Sequence, residues 1–189
     1  MNDKYVWYAC YGSNVNEDRF LCYIKGGICG FNGRSYDGCT DKSDPIADKP
    51  IIIPHKLYFG NSSGAWGGGG VAFINPQWDS EQSTWGRMYL ITEEQFEQIH
   101  IAEGLGPNWY GELLELGEAD GYRIRTFTNA GIRPANVPSD TYLKVMAIGL
   151  KETYPHKSPN EINQYITEHL VDLAFAVGAD NLYWRRQVK

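Results

Sequence analysis

Short stretches of apolar, β-prone residues alternate with stretches of helical spacing, which predicts a mixed α and β fold. The first predicted strand is the apolar run Tyr-Val-Trp-Tyr-Ala-Cys that begins at Tyr5. The segment Trp85 to Ile91 is a further predicted strand. The predicted strands span 5–10, 51–59, 70–74, 85–91, 112–116 and 122–127. A Gly-Glu-Ala-Asp-Gly turn joins the last two.

Four helices are predicted among these strands, and three of them have clear starts. Thr92 can cap the second helix, and Gln95 three residues later completes a capping box. Ser139 can cap the third helix, and Pro159 suits the first turn of the fourth. The predicted helices span 16–23, 93–102, 139–152 and a segment that follows 159. The fold class expected from this order is α+β, in one domain that spans 1–189.

The segment 26–50 departs from this pattern because it is rich in glycine, proline and aspartate. It is longer than most connections inside a compact domain. We interpret it as an insertion at about 26–50 and favour a mobile surface loop. Arg185 and Arg186 near the end of the chain are expected to be solvated.

Charge and cysteine usage narrow the classes of partner. The net charge of −6 argues against binding to nucleic acid phosphates by bulk attraction. No apolar run is long enough to span a membrane, so neither nucleic acid nor membrane is an expected partner. The four cysteines form no Cys-x-x-Cys pair, so no zinc site is expected. Free thiols in a reducing cytoplasm are the simplest interpretation, and a disulfide within 22–39 stays open.

The stretch Tyr11-Gly12-Ser13-Asn14 carries the strongest functional signal. It joins a predicted strand to a predicted helix, where successive backbone N–H groups can converge on an anion. Gly12 has no Cβ and lets a ligand approach the backbone. The expected guest is a small anion such as a carboxylate or phosphate. The alternative is an ordinary turn, because Ser and Asn are also common turn and N-cap residues.

Further segments resemble the γ-glutamylcyclotransferase-like family, whose members carry a Tyr-Gly-Ser-Asn loop after the first strand. The resemblance spans roughly residues 5 to 170 and rests on the order of the motifs. After the loop these are Phe59-Gly60-Asn61-Ser62, Trp66-Gly67-Gly68-Gly69-Gly70-Val71-Ala72, Trp85-Gly86-Arg87-Met88-Tyr89, Ala102-Glu103-Gly104, and Pro138-Ser139 with Tyr142 and Ile148-Gly149.

The resemblance implies a small, curved, mainly antiparallel β-sheet or barrel with flanking helices. It also implies catalysis by Glu103 and places Tyr110 and Tyr142 in the pocket. The substrate would be a γ-glutamyl amide, which is cyclised to 5-oxoproline without a metal or other cofactor. The resemblance further makes 26–50 an insertion that borders the pocket. A homodimer is left open as the assembly.

The position of Glu103 suits proton transfer. It lies at the predicted C-terminal end of the helix 93–102, where unpaired carbonyl groups and burial both favour the neutral acid. A carboxyl group near neutrality can act as general acid and base. Two other interpretations are weaker: a surface glutamate, and a metal site with His100 three residues earlier.

Three departures from the family pattern keep a second function open. Val15 follows the loop where leucine is usual, the segment 26–50 is long, and Leu105-Gly106-Pro107-Asn108-Trp109 follows the glutamate. The alternative is a non-catalytic protein of the same fold that binds a small carboxylate. A further possibility is an enzyme that acts on one specialised γ-glutamylated amine.

Overall fold

The apolar run near the N-terminus forms the middle strand of a five-stranded sheet in the computed structural model. The structure describes residues 4–176, with 171–176 described by backbone alone, and Arg185 and Arg186 lie outside this range. In chain order the strands are β1 (Tyr5–Cys10), β2 (Gly27–Ile28), β3 (Ser35–Tyr36), β4 (Ala47–Ile53), β5 (Leu57–Gly60), β6 (Val71–Ile74), β7 (Thr84–Thr92), β8 (Glu112–Ala119) and β9 (Tyr122–Thr128). The helices are α1 (Glu17–Lys25), α2 (Glu93–Glu103), α3 (Asp140–Thr153) and α4 (Pro159–Ala176).

The main sheet has the strand order β4-β7-β1-β9-β8. Its neighbours are antiparallel except for β1 and β9, which run parallel. Five of the six residues of β1 are buried, because helices and loops cover both faces of the sheet at its centre. The expectation of a mainly antiparallel α+β fold is confirmed. The expectation allowed either a curved sheet or a barrel. Within the described residues the sheet is open and does not close into a barrel.

The strand predicted over 51–59 is wrong as a single element. The structure has two strands there, and they belong to different sheets: β4 pairs with β7, whereas β5 pairs with β6 in a two-stranded sheet. Pro54 ends the first strand, and the amide of His55 turns back to the carbonyl of Ile53 at 2.8 Å. β4 also begins at Ala47, inside the segment that we assigned to the insertion.

The turn between the last two strands is tighter than predicted. β8 continues to Ala119, and only Asp120 and Gly121 form the connection, with φ angles of 53° and 80°. Two successive positive φ values fit the type I′ hairpin turn that matches the twist of the strands. An irregularity between Glu115 and Gly117 absorbs the change in register.

The helix starts agree with the capping signals. Thr92 and Gln95 form the complete predicted capping box at α2. The Ser139 side chain accepts from the amide of Tyr142 at the start of α3. α4 begins at Pro159, as expected. In the described residues no helix is long and apolar enough to cross a membrane.

The segment 26–50 folds against the rest of the molecule. Its short hairpin of β2 and β3 follows α1. Cys29 and Cys39 are buried, and the amide of Cys39 donates to the carbonyl of Ile24 at 2.9 Å. Tyr36 lines the cavity described below. The segment therefore borders the pocket, as the resemblance implies, and is not a surface loop apart from it. All four cysteines are free thiols.

Candidate active site

A cavity of about 340 Å³ opens where β1 leads into α1. Its lining includes all seven residues that the sequence singled out, drawn from three distant parts of the chain. These are Tyr11, Gly12, Ser13, Asn14, Glu103, Tyr110 and Tyr142. Three further segments also contribute, through Arg19 and Tyr23 of α1, Arg34 and Tyr36 of the hairpin, and Ser63 to Trp66. The cavity has room for a small amino acid derivative.

The loop after β1 is fixed in place by close packing at Gly12. A Cβ atom there would lie 2.7 Å from the Tyr142 hydroxyl and 3.1 Å from the Cβ of Ala72, so only glycine fits. The chain then forms one 3-10 turn over Ser13–Val15, before Asn16 caps α1 by accepting from the amide of Arg19 at 2.9 Å.

The backbone amides of Gly12 and Asn14 have no hydrogen-bond partner among the described residues, whereas the amide of Ser13 interacts with the Tyr142 hydroxyl. In the 3-10 turn, the amides of Val15 and Asn16 donate to the carbonyls of Gly12 and Ser13. Within residues 4–176 no backbone carbonyl accepts from the amides of Gly12, Ser13 or Asn14. Two of the three amides are therefore without a partner in this turn, and anion binding itself stays a prediction.

Asn14 and Glu103 meet in the cavity although 89 positions separate them. The Asn14 Nδ2 donates to Glu103 Oε1 at 2.8 Å and to the Tyr8 hydroxyl at 3.3 Å. The Tyr89 hydroxyl donates to the Asn14 carbonyl at 3.1 Å and holds the residue from the other side. Asn14 Oδ1 is buried and has no hydrogen-bond partner in the described residues. This orphan acceptor lies beside the carboxylate, so the pair can receive a donor from a ligand.

The tyrosine hydroxyls that line the cavity with Glu103 differ in their hydrogen bonds. The Tyr11 hydroxyl donates to the Phe127 carbonyl at 2.7 Å, and the Tyr110 hydroxyl donates to the Ala72 carbonyl at 2.8 Å. These two residues shape the wall. The Tyr142 hydroxyl accepts from the Ala72 amide at 2.9 Å, so its own proton can be donated to a ligand. Burial raises the pKa of Tyr142 to about 12, which keeps the phenol protonated.

His100 is not available as a metal ligand beside Glu103. Its Nε2 pairs with the Tyr110 carbonyl at 2.5 Å, and its ring stacks on Phe127 with centroids 4.6 Å apart. In the described part of the chain no cluster of three His, Cys, Asp or Glu residues could hold a metal ion. Trp109, from the segment 105–109 that follows Glu103, also lines the cavity.

Arg19 is the site residue that the sequence analysis missed. Its side chain is 2% exposed, and its Nη2 donates to the hydroxyls of Tyr23 and Tyr36 at 3.0 Å. Its Nε and Nη1 are buried without a partner, and no acidic side chain of the described residues pairs with it. Burial acts to lower the pKa of Arg19, but Tyr23 and the charge of Glu103 outweigh it and raise the pKa, so the group stays cationic.

The spacing of residues along α1 could have identified Arg19 as a candidate. Arg19 and Tyr23 lie four residues apart and therefore share a helix face with Phe20 and Ile24 nearby, all buried. A cation on an apolar helix face needs a partner or a ligand. The pattern alone does not say which, because Tyr36 comes from another segment.

Comparison with known proteins gives the fold but no established activity. No protein-family model matches the chain. Among curated proteins, the chain is 32% identical over 185 residues to "Histone deacetylase 5" of Arabidopsis thaliana. That match covers 78% of this chain but only 28% of the relative. The chain thus corresponds to a minor part of that longer protein.

Three solved structures are similar to this one. A γ-glutamyl cyclotransferase aligns with a TM-score of 0.61 and 19% identity over 85% of this chain and 87% of that one. An uncharacterised protein of Homo sapiens aligns with a TM-score of 0.60 and 20% identity, over the same shares. YkqA of Bacillus subtilis aligns with a TM-score of 0.58 and 18% identity, over 89% of this chain and 55% of YkqA. The chain therefore has a γ-glutamylcyclotransferase-like fold, as its sequence motifs indicated.

Proposed function

We propose that the protein cyclises a γ-glutamyl amide to 5-oxoproline and releases the amine, with Glu103 as general acid and base. The observation that carries this proposal is the pairing of Glu103 with Asn14, at 2.8 Å, beside the orphan Asn14 Oδ1. A γ-glutamyl group brings an α-ammonium, which is the donor that these two acceptors lack. The similarity in fold to a γ-glutamyl cyclotransferase supports the same activity.

The substrate is oriented by both of its α-substituents. Its α-carboxylate binds to the amides of Gly12, Ser13 and Asn14 at the turn before α1, and competes with the Tyr142 hydroxyl for the amide of Ser13. Its α-ammonium donates to Asn14 Oδ1 and to the Glu103 carboxylate. The γ-carbonyl then lies within reach of the amine, because the same short chain carries both groups.

The reaction requires proton transfer but no nucleophile from the protein. Glu103 takes a proton from the α-ammonium, and the free amine attacks the γ-carbonyl carbon to form the ring C–N bond. Collapse of the intermediate breaks the amide C–N bond and Glu103 returns its proton to the leaving nitrogen. The ring nitrogen gives up its second proton as well, and the amine departs as an ammonium. The intramolecular attack benefits from the high effective concentration of two groups held on one chain.

Cys10 is the other reactive group in the cavity lining, and it is a poor nucleophile. Its thiol donates to the Arg87 carbonyl at 3.1 Å. Burial is the main cause that raises the pKa of the Cys10 thiol above its ordinary value, so the reactive thiolate is disfavoured. This favours the substrate's own amine over a covalent enzyme intermediate. The free thiols fit a reducing compartment and support a cytoplasmic site for the reaction.

The test is a panel of γ-glutamyl peptides and γ-glutamyl amines, assayed for 5-oxoproline, with wild-type protein and Glu103→Gln. The variant keeps the hydrogen bond from Asn14 possible but cannot accept a proton, so turnover should fall by about 10²–10⁴ while ligand affinity persists. Glu97→Gln is the matched control, since Glu97 is an exposed residue of the same helix. Product from none of the panel would refute the cyclotransferase, and binding without turnover would favour the carboxylate-binding alternative.

A further inference from the structure

We propose that Arg19 binds a carboxylate carried by the leaving amine, and so selects among γ-glutamyl amides. This inference rests on the proposed function, because it assigns the part of the substrate that Glu103 and Asn14 do not contact. The cavity would then distinguish γ-glutamyl amino acids from γ-glutamyl alkylamines by one buried guanidinium group.

The first observation is the unpaired donor set of Arg19. The guanidinium is 2% exposed and lines the cavity, and only its Nη2 has hydrogen-bond partners in the described residues. Nε and Nη1 are the remaining donors. Nε and Nη1 lie on different edges of the guanidinium, and each can donate a charge-assisted hydrogen bond to a carboxylate oxygen. A buried charge without a partner is costly, and a bound anion removes that cost.

The second observation is that aromatic rings hold the guanidinium in place before any ligand arrives. The carbon Cζ lies 4.5 Å from the ring centroid of Tyr23, 4.9 Å from that of Tyr36 and 5.9 Å from that of Trp66. The hydroxyls of Tyr23 and Tyr36 also accept from Nη2 at 3.0 Å. Because rotation of the side chain is already restricted, binding costs little conformational entropy.

The third observation separates this subsite from the catalytic pair. Arg19 makes its polar contacts with Tyr23 and Tyr36, whereas Glu103 makes its contact with Asn14, and the two groups share no partner. Glu103 raises the pKa of Arg19 through its charge without forming an ion pair with it. The two groups therefore meet different parts of one ligand. Since the loop amides hold the α-carboxylate, the guanidinium is left for a second carboxylate beyond the γ-amide.

Arg34 adds to the positive charge of this side of the cavity. It lines the cavity from the hairpin that also supplies Tyr36, and its Nη2 lies 3.9 Å from the place that a Cβ of Gly64 would occupy. Arg34 is exposed, so its charge is screened by solvent more than that of Arg19. We therefore assign the selectivity to Arg19.

The experiment compares two substrates that differ only in the leaving-side carboxylate, γ-glutamylglycine and γ-glutamylmethylamine. Wild-type protein should prefer the first by about tenfold or more in kcat/KM, the effect of one good charged hydrogen-bond pair. Arg19→Gln should abolish that preference by raising KM for γ-glutamylglycine, and should leave γ-glutamylmethylamine within about twofold. Arg19→Lys, which keeps the charge but not the planar set of donors, should restore part of the preference.

Lys144→Gln is the matched control because it removes one cation from an exposed position of α3 that does not line the cavity. It should leave the preference unchanged. Equal loss on both substrates in Arg19→Gln would mean that Arg19 binds the α-carboxylate of the glutamyl group, and this would overturn the assignment. No preference in wild-type protein would overturn it as well.

A separate measurement distinguishes failure of this inference from failure of the proposed reaction. If no γ-glutamyl amide is turned over, calorimetry with γ-glutamylglycine and γ-glutamylmethylamine measures binding directly. Weaker binding of γ-glutamylglycine alone in Arg19→Gln would support the subsite without the reaction, and equal binding would refute it. Should Arg19→Gln not fold, Tyr36→Phe removes one hydroxyl that holds the guanidinium, and it should raise KM only for γ-glutamylglycine.

Discussion

A single methyl group on Gly149 of α3 would test how the loop after β1 is positioned. A Cβ atom on Gly149 would lie 2.2 Å from the backbone nitrogen of Asn16, 2.4 Å from the carbonyl carbon of Val15 and 2.5 Å from Cα of Asn16. All three contacts are with backbone atoms, which cannot rotate away. Gly149→Ala must therefore push α3 and the loop apart.

The magnitude follows from two opposing effects. Alanine in a helix interior is favoured over glycine by about 1 kcal/mol. Overpacking against rigid neighbours costs about 1–3 kcal/mol. The net change in the free energy of unfolding should be a loss of about 0–2 kcal/mol. Activity should suffer more, because Asn14 is one residue before Val15 and a misplacement of about 1 Å at a catalytic group can cost about 10²-fold in rate.

The assay is kcat/KM for the best γ-glutamyl substrate beside the midpoint of urea unfolding. Gly30→Ala is the control, because nothing lies within 4 Å of its Cβ position. A Gly149→Ala protein that is more stable than wild type and fully active would refute the reasoning, since it would show that α3 does not set the position of the loop.

Three other changes have defined outcomes. Arg87 is 5% exposed and pairs with three carboxylates, so Arg87→Gln should lower the free energy of unfolding by about 2 kcal/mol, with partial rescue at high salt in urea titrations. Asn14→Asp would set two carboxylates about 2.8 Å apart, so they should share one proton, and kcat should fall at neutral pH and shift its pH profile relative to wild type. Hydrogen bonds from the Ser158 backbone amide, then Lys157, lower the pKa of Glu161 from 4.5 to about 2, so its stabilisation is present above pH 4.5 and lost as the pH falls toward 2. Glu161→Gln should flatten that acid dependence in thermal unfolding measured from pH 6 to pH 2.

The elements that could be predicted from sequence are those with local causes. The capping box of α2 and the cap of α3 depend on residues three positions apart, and the sequence carries both partners. The strand β1 is an uninterrupted apolar run. By contrast, the division of 51–59 into β4 and β5 depends on which sheet each half joins. That is decided by the pairing of Ile51 with Gly86 and of Phe59 with Ala72, at long range.

The candidate site shows the same division between local and distant causes. The loop at Gly12 and the position of Glu103 at a helix end are local, and the sequence predicted both. The bond between Asn14 and Glu103 joins segments far apart in sequence, so its existence required the fold. Arg19 could not be assigned to the site from sequence because its significance depends on Tyr36. That residue lies in the segment 26–50, whose composition predicts a surface loop.

The unsatisfied polar atoms of the cavity describe the ligand that would satisfy them. Buried polar groups in folded proteins almost always have partners, so each exception calls for an explanation. Here Asn14 offers one orphan acceptor beside a carboxylate, and Arg19 offers two orphan donors on a cation. A γ-glutamyl amino acid carries an ammonium for the first group and a carboxylate for the second. A neutral ligand would leave the buried charge of Arg19 uncompensated, and a simple anion would leave the Asn14 acceptor unpaired. A ligand that carries both an ammonium and a carboxylate would therefore satisfy both groups.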